Sequence, residues 1–194
     1  EVFEKPQPFF FAGLLLEGVK IPEGHSYLLF LPPLARCTAM TPAGRGRCRT
    51  YVAYQDEPGF RLQGEENVSN FIAEAKKADL VANWFDDAKA IGPLASFRCG
   101  DFWVGHPHKN GVALVGDAAS TSDPAFGQGL STTVRDVRVL RDCLLASDDW
   151  DAAANAYAAE HDRYSTVVRN VTGWFRKLFL EQGIEADERR ERAM

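Results

Sequence analysis

No apolar run in this 194-residue sequence approaches the roughly 20 residues that a membrane-spanning helix requires. The longest, Phe9 to Leu16, has the length of a strand. The N-terminus lacks the basic flank, apolar stretch and cleavage site of a secretory signal. It also lacks an initiator Met and opens on Glu-Val-Phe, which suggests a chain cut from something larger. Cys37, Cys48, Cys99 and Cys143 show no C-x-x-C spacing. A disulfide frame is not needed at this size, so free thiols and a cytoplasmic setting are expected. The four histidines lie apart except for His106-Pro107-His108, where proline forces an extended chain, and no metal site is expected. Basic residues form no long cluster: the net charge is -5, and Arg45, Arg47 and Arg49 alternate within a strand and its turn. That pattern reads as a solvated strand face and argues against nucleic acid. Internal repeats and low-complexity segments are absent.

What is present fits an ordinary soluble domain with ample material for a core. Phe9 to Leu16 reads as a buried strand, with Gly13 marking a bulge or a close approach. Tyr27 to Leu31, Cys37 to Thr41 and Arg47 to Tyr54 follow as strands separated by Pro/Gly turns. The expectation is an antiparallel sheet. Asn67 to Val81 has helical spacing, with Ser69 or Asn67 as N-cap, and a short helix is expected over Ala82 to Ala90. Phe97 to Val104 returns to strand character. Leu130, Val134, Val137, Leu140 and Leu144 then recur at spacings of three and four, predicting a helix with that stripe on the core. Ser147-Asp148-Asp149 is a break and an N-cap. A long helix follows, with Tyr157, Tyr164, Val168, Val171, Phe175 and Leu178 as its stripe and Gly183 as its cap. Glu185/Arg189 and Glu188/Arg192 predict a helical tail over Glu185 to Met194.

The stretch from Gly111 to Leu130 carries the chemistry. Val112 to Val115 is a continuous apolar run, as in a strand covered on both faces. Gly116 lets the backbone pass close to a ligand. Asp117 stands at the strand's end, where its carboxylate can accept hydrogen bonds from ligand hydroxyls. Pro124 stiffens the following loop, and Gly127 and Gly129 free its backbone. The helix opening near Gly129 then presents unpaired N–H groups and the positive end of its dipole, which favour an electron-rich or anionic group.

Gly116, Asp117, Ala118, Ala119, Pro124, Gly127, Gln128, Gly129 and Asp136 together resemble the second flavin motif of FAD-dependent monooxygenases of the para-hydroxybenzoate hydroxylase type. That motif runs G-D-A-A-H, a Pro, then G-x-G and a helix bearing an Asp. The resemblance implies that Asp117 holds a ribityl hydroxyl of FAD. It implies that the N–H groups of Gly129, Leu130 and Ser131 face the pyrimidine edge of the flavin, and that Pro124 lies by its reacting edge. Ser120 stands where the family has His, and Ser131 where it has Asn. The G-x-G-x-x-G fingerprint for the ADP half and the family's D-G motif are both absent. The chain thus resembles the later part of the family's order, from the substrate domain onward.

The fold class expected on this basis is α+β: an antiparallel substrate-domain sheet, the flavin-binding G-D strand and helix, and C-terminal helices, a partial FAD/NAD(P)-binding fold. The segments expected are 1–105 for the substrate sheet with its helices, 106–146 for the flavin-binding segment and 147–194 for the C-terminal helices. The function implied is NAD(P)H-using hydroxylation or epoxidation of a small organic substrate by dioxygen through a C4a-hydroperoxyflavin. FAD is the cofactor, its site incomplete in this chain, and a missing N-terminal half or complementary chain would be the partner. No catalytic side chain is assigned, since the protein's share is placement and electrostatics. Tyr27, Phe30, Cys37, Met40 and Tyr51 lie on strands that could line a substrate pocket, with core packing the better-supported role. Trp103 and His106 precede the G-D strand. A flavin-linked reductase of prenyl chains and a flavin-free binding module are the alternatives. A methyltransferase-like α/β enzyme would need alternating parallel strands, against which the Phe9 to Tyr54 region argues.

Overall fold

A computed structural model describes residues 1–193; the end of the expected helical tail, Met194, lies outside the described residues. The chain forms two compact units that interleave in sequence. One comprises Glu1–Gln7 and Cys99–Phe175, the other Pro8–Arg98 and residues 176–193. Strands β1 (Val2–Glu17) and β6 (Ala95–Val104) and helix α3 (Trp150–Phe179) contribute residues to both.

The second unit is built on an antiparallel sheet. Strands β2 (Tyr27–Leu31), β3 (Arg36–Pro42), β4 (Arg47–Gln55) and β1 lie side by side in that order, and the short β5 (Lys89–Ala90) also pairs with β1. The two-residue alternation of β1 sends Phe10, Ala12, Leu14 and Leu16 to one face. There they join Met40, Cys48, Val52 and Tyr54 from β3 and β4 in a buried core. Helix α1 (Val68–Lys76) covers this face with Phe71 and Ala75, and the 3-10 turns over Asp79–Phe85 add Val81 and Phe85. The second helix expected over Ala82 to Ala90 is replaced by these turns and β5. Asn67 holds the N-cap position of α1, but its side chain accepts from Asn70 Nδ2 rather than from the helix backbone.

The pairing of β1 with β4 is regular from Phe9 opposite Gln55 to Glu17 opposite Arg47. Gly13 is therefore no bulge. It is a close approach: a Cβ there would sit 2.7 Å from the Tyr51 ring. Arg36 is buried where β3 meets α1, held by Glu74 at 3.2 Å and Glu57 at 3.0 Å. Among the candidate pocket residues, Cys37 and Met40 are buried, Tyr27 meets Trp84 edge-on and Phe30 stacks on Phe179. Gly183 has φ +102, and its carbonyl accepts from Ala186 and Asp187, so it opens α4 (Ile184–Ala193) rather than closing α3. Of the two tail pairs, Glu188–Arg192 forms, while Arg189 turns to Glu181.

In the first unit, β6 pairs with the short β9 (Ser120–Thr121), and β7 (His108–Lys109) forms a hairpin with β8 (Val112–Ala113). Helix α2 (Gly129–Leu145) and α3 follow. Asp149 caps α3 as its sequence requires, its Oδ1 accepting from the N–H groups of Asp151 and Ala152. No helix among the described residues is long and apolar enough to cross a membrane.

The Gly13 contact is testable. Gly13→Ala should lower stability by about 1–3 kcal/mol through overpacking, read by urea unfolding. Its cost should shrink in a Tyr51→Ala background; equal costs in both backgrounds would mean that the ring is not the obstacle.

Candidate functional site

The expected buried strand from Val112 to Val115 is only partly realised. β8 holds Val112 and Ala113 alone; Val112 is exposed and the next three residues are half-buried. A run this apolar needs cover on both faces, and among the described residues β8 pairs only with β7. The chain then turns through a single 3-10 turn, Gly116–Ala118, into β9.

Gly116 has φ +60, and a Cβ on it would stand 2.9 Å from Thr133 Oγ1 and 3.0 Å from its Cγ2. Glycine is thus required for the turn to seat against the first turns of α2. Asp117, next in line, is exposed. After β9 the loop passes the buried Asp123 into a second 3-10 turn, Pro124–Phe126. Gly127, at φ +64, reverses the chain into α2.

The start of α2 is chemically distinctive. Gln128 occupies the N-cap position without a side-chain cap and donates instead to the Phe126 carbonyl at 2.9 Å. The hydroxyls of Thr132 and Thr133 fold back on the Gly129 carbonyl at 2.8 and 2.9 Å. The Thr132 N–H bonds the Gln128 carbonyl, so the N–H groups of Gly129, Leu130 and Ser131 stand upstream of the helical ladder. The first turn carries no acidic side chain, and Leu130 and Ser131 are exposed. An exposed carboxylate and an uncapped helix N-terminus are thereby held on one packed turn-and-helix unit. That donor and acceptor set suits a ligand with hydroxyls at one point and an electron-rich edge at another.

The apolar stripe predicted for α2 does not face a core in this chain. Leu130 is 77% exposed, Val134 61% and Val137 54%, while Leu140 and Leu144 are half-buried. The buried residue of α2 is Asp136, at 1%. Its Oδ2 accepts the Gly116 N–H at 2.7 Å, and its Oδ1 accepts from His161 Nδ1 at 3.0 Å and from the Tyr164 hydroxyl. Tyr157, one helical turn before His161, donates its hydroxyl to the Leu114 carbonyl at 2.6 Å. Burial works to raise the Asp136 pKa, yet the bonds from His161, Tyr164 and Gly116 outweigh it and hold the carboxyl below its ordinary value. Burial and the Asp136 charge push both Tyr157 and Tyr164 upward, so both phenols stay protonated donors. The Arg135 guanidinium lies 4.4 Å from the Tyr164 ring centre and pairs with Glu160 at 3.2 Å. Two bonded arginines, Arg163 first and Arg135 second, lower Glu160 to about 2.

His161 is the residue that sequence reasoning passed over. Its signal was the spacing of Tyr157, His161 and Tyr164 at i, i+4 and i+7, which puts three hydrogen-bonding rings on one helical face. The other histidines have local tasks. His106, at φ +55, reaches Asn155 Oδ1 with Nε2 at 2.9 Å while its backbone N–H is shared by the Asp162 oxygens. His108 Nδ1 lies 3.3 Å from the same Asn155 oxygen. Trp103 stacks on Phe3 and carries the Arg169 guanidinium at 4.4 Å. Beside the Pro124 turn, Phe126, Gln128, Val167, Val168, Val171 and Phe175 line an apolar cavity of about 230 Å³.

The fold is mixed α/β, an antiparallel sheet with C-terminal helices, and it is shared with solved flavin-dependent enzymes. No family model matches the chain. Among particular proteins, it is similar to the kynurenine 3-monooxygenase of Salinispora arenicola, 25% identical over 166 residues, which cover 81% of this chain and 33% of that protein. Klebsiella pneumoniae HpxO, solved with FAD and uric acid, superposes with a TM-score of 0.75 at 17% identity over 97% of this chain and 50% of that one. The flavin-dependent brominase Bmp2 does so with a TM-score of 0.71 at 15% identity over 89% of this chain and 46% of its own. The chain spans about a third of the length of the curated relatives it matches and about half that of the solved structures.

Because the folded pKa of Asp136 lies below the unfolded value, its stabilisation is complete above the ordinary carboxylate pKa and is lost as pH falls through the folded value. Asp136→Asn should therefore cost roughly 2–4 kcal/mol at neutral pH and show a shallower loss of stability in acid. Urea unfolding from neutral pH down through the carboxylate range checks both, and parallel acid limbs would contradict the assignment.

Proposed function

We propose that this chain is the flavin-ring and substrate-side portion of an FAD-dependent, NAD(P)H-using monooxygenase acting on a small organic molecule. The observation that carries this reading is the pairing of exposed Asp117 with the uncapped start of α2 on a turn pinned by Gly116. Support comes from a curated relative named for its monooxygenase activity and from a structural neighbour solved with FAD and uric acid.

In this reading Asp117 accepts a hydroxyl of the ribityl chain. The N–H groups of Gly129, Leu130 and Ser131, backed by the α2 dipole, meet the pyrimidine edge, where negative charge is favoured. Gly116 and Gly127 supply the two left-handed turns that bring these groups to bear, and Pro124 stiffens the loop along the reacting edge. When bound, FAD supplies hydride acceptance and dioxygen activation; the chain's own residues bind, orient and exclude water. The cavity beside the Pro124 turn, apolar but for Gln128 and Thr172, suits the apolar part of a small substrate. The segment from 106 to 146 is then the flavin-binding segment, and a dinucleotide-binding half carrying G-x-G-x-x-G completes the site. A soluble, cytoplasmic setting accords with this reading.

The test joins this chain to such a half. The joined protein should purify yellow and oxidise NAD(P)H, and Asp117→Ala should weaken FAD retention by at least about tenfold with its fold intact. The chain alone should hold FAD poorly. Stoichiometric FAD on the chain alone would overturn the incomplete-site reading, and no FAD on the joined protein would favour a flavin-free binding module.

A further inference from the structure

The G-D turn is held by Asp136 of α2, and that carboxylate is held in turn by side chains of α3. Tyr157, His161 and Tyr164 project from one face of α3. Tyr157 holds the Leu114 carbonyl, and His161 and Tyr164 both hold one oxygen of Asp136, whose other oxygen holds the Gly116 N–H. The backbone on the approach to Asp117 is thus gripped at two points, one through a donor and one through an acceptor. All four of these side chains are buried, His161 and Asp136 almost completely.

We propose that His161 and Tyr164 are positioning residues for the Gly116–Asp117 turn, acting through the Asp136 carboxylate. A carboxylate with a single bonded oxygen can still rotate about its Cβ–Cγ bond. With two donors on Oδ1 and one on Oδ2, Asp136 is locked, and the Gly116 N–H has one place to point. That N–H fixes the Val115–Gly116 peptide plane, and with Gly116 held at φ +60 against Thr133 it sets the course of the chain into Asp117. Since carboxylate oxygens only accept, the His161 proton in this contact sits on Nδ1. His161 Nε2 is buried with no hydrogen-bond partner among the described residues. The ring's polar contacts thus lie on its Nδ1 side, the shorter one to Asp136, and its burial is costly to keep unless that bond is made. A histidine retained only to fill space would be better replaced by an apolar ring.

The consequence for the ligand rests on the flavin reading above; the consequence for the turn does not. Both can be read separately on the 194-residue chain and on its joined, FAD-binding form. His161→Leu removes the donor at similar volume, whereas His161→Asn keeps an N–H close to the position of Nδ1. Amide hydrogen exchange should show Gly116 exchanging at least about tenfold faster in His161→Leu, with the mid-α3 amides unchanged. His161→Asn should return most of the protection. In the joined protein, FAD affinity should fall and recover in the same order. Where His161→Leu fails to fold, Tyr164→Phe, which removes one of the two Oδ1 donors, should give a smaller rise at Gly116 alone.

Equal behaviour of the Leu and Asn variants would overturn the proposal. So would a Gly116 rate that rises only in step with the α3 amides, which would mark His161 as general packing. If the Gly116 amide responds as expected while FAD affinity does not move, the positioning role stands and the flavin reading fails.

Discussion

One buried carboxylate organises the unit that contains the candidate site. Asp136 is the buried residue of a helix whose apolar side chains are mostly turned to solvent, and it accepts three hydrogen bonds from two other elements. A buried charge is tolerated only when its oxygens are satisfied, and here the donors come from the G-D turn and from α3. The same bonds that make the charge tolerable therefore tie α2, the turn and α3 into one piece. Gly116 is the corresponding steric constraint: only a residue without a Cβ lets the turn approach Thr133 closely enough for the Asp136 bond to form.

The second unit rests on more ordinary physics, and it was the more legible in the sequence. Strands β2, β3 and β4 are short, locally alternating and bounded by Pro and Gly, so their limits differ from the sequence expectation by a residue or so. Gly13 shows where local reading stops. Its two explanations, bulge or close approach, differ only in what lies across the strand, and that is Tyr51, 38 residues later in the chain. The 3-10 turns over Asp79–Phe85 fall where two helices were expected; their Val81 and Phe85 keep helix-like spacing, but spacing records which side chains are buried, not the pitch of the backbone between them.

The site was legible as a string but not as a mechanism of support. Gly116, Asp117, Pro124, Gly127 and Gly129 stand out because glycine and proline have few other reasons to be so spaced. The helix carrying Leu130, Val134 and Val137 formed, but the stripe is exposed rather than on a core: periodicity reports an apolar face of a helix, not what lies against it. His161 escaped notice because its partner is 25 residues earlier in sequence. A lone histidine in a charged helical segment carries no local mark of burial. Only the recurrence of hydrogen-bonding rings at positions 157, 161 and 164 hints at a shared target.

That recurrence has a consequence for how α3 can change over evolutionary time. The three rings share one face only because the intervening residues number three and two, so their alignment is a matter of helical phase. Inserting or deleting a single residue between Tyr157 and Tyr164 would swing the far ring by about 100° around the axis. It would then point away from Asp136, with every side chain of the original set still present. Substitutions on the outer face of α3 leave that phase untouched. This helix can therefore drift freely in composition over its exposed positions while its length between the two tyrosines stays frozen. The loop over residues 22–24, where no such phase is kept, is free to grow or shrink.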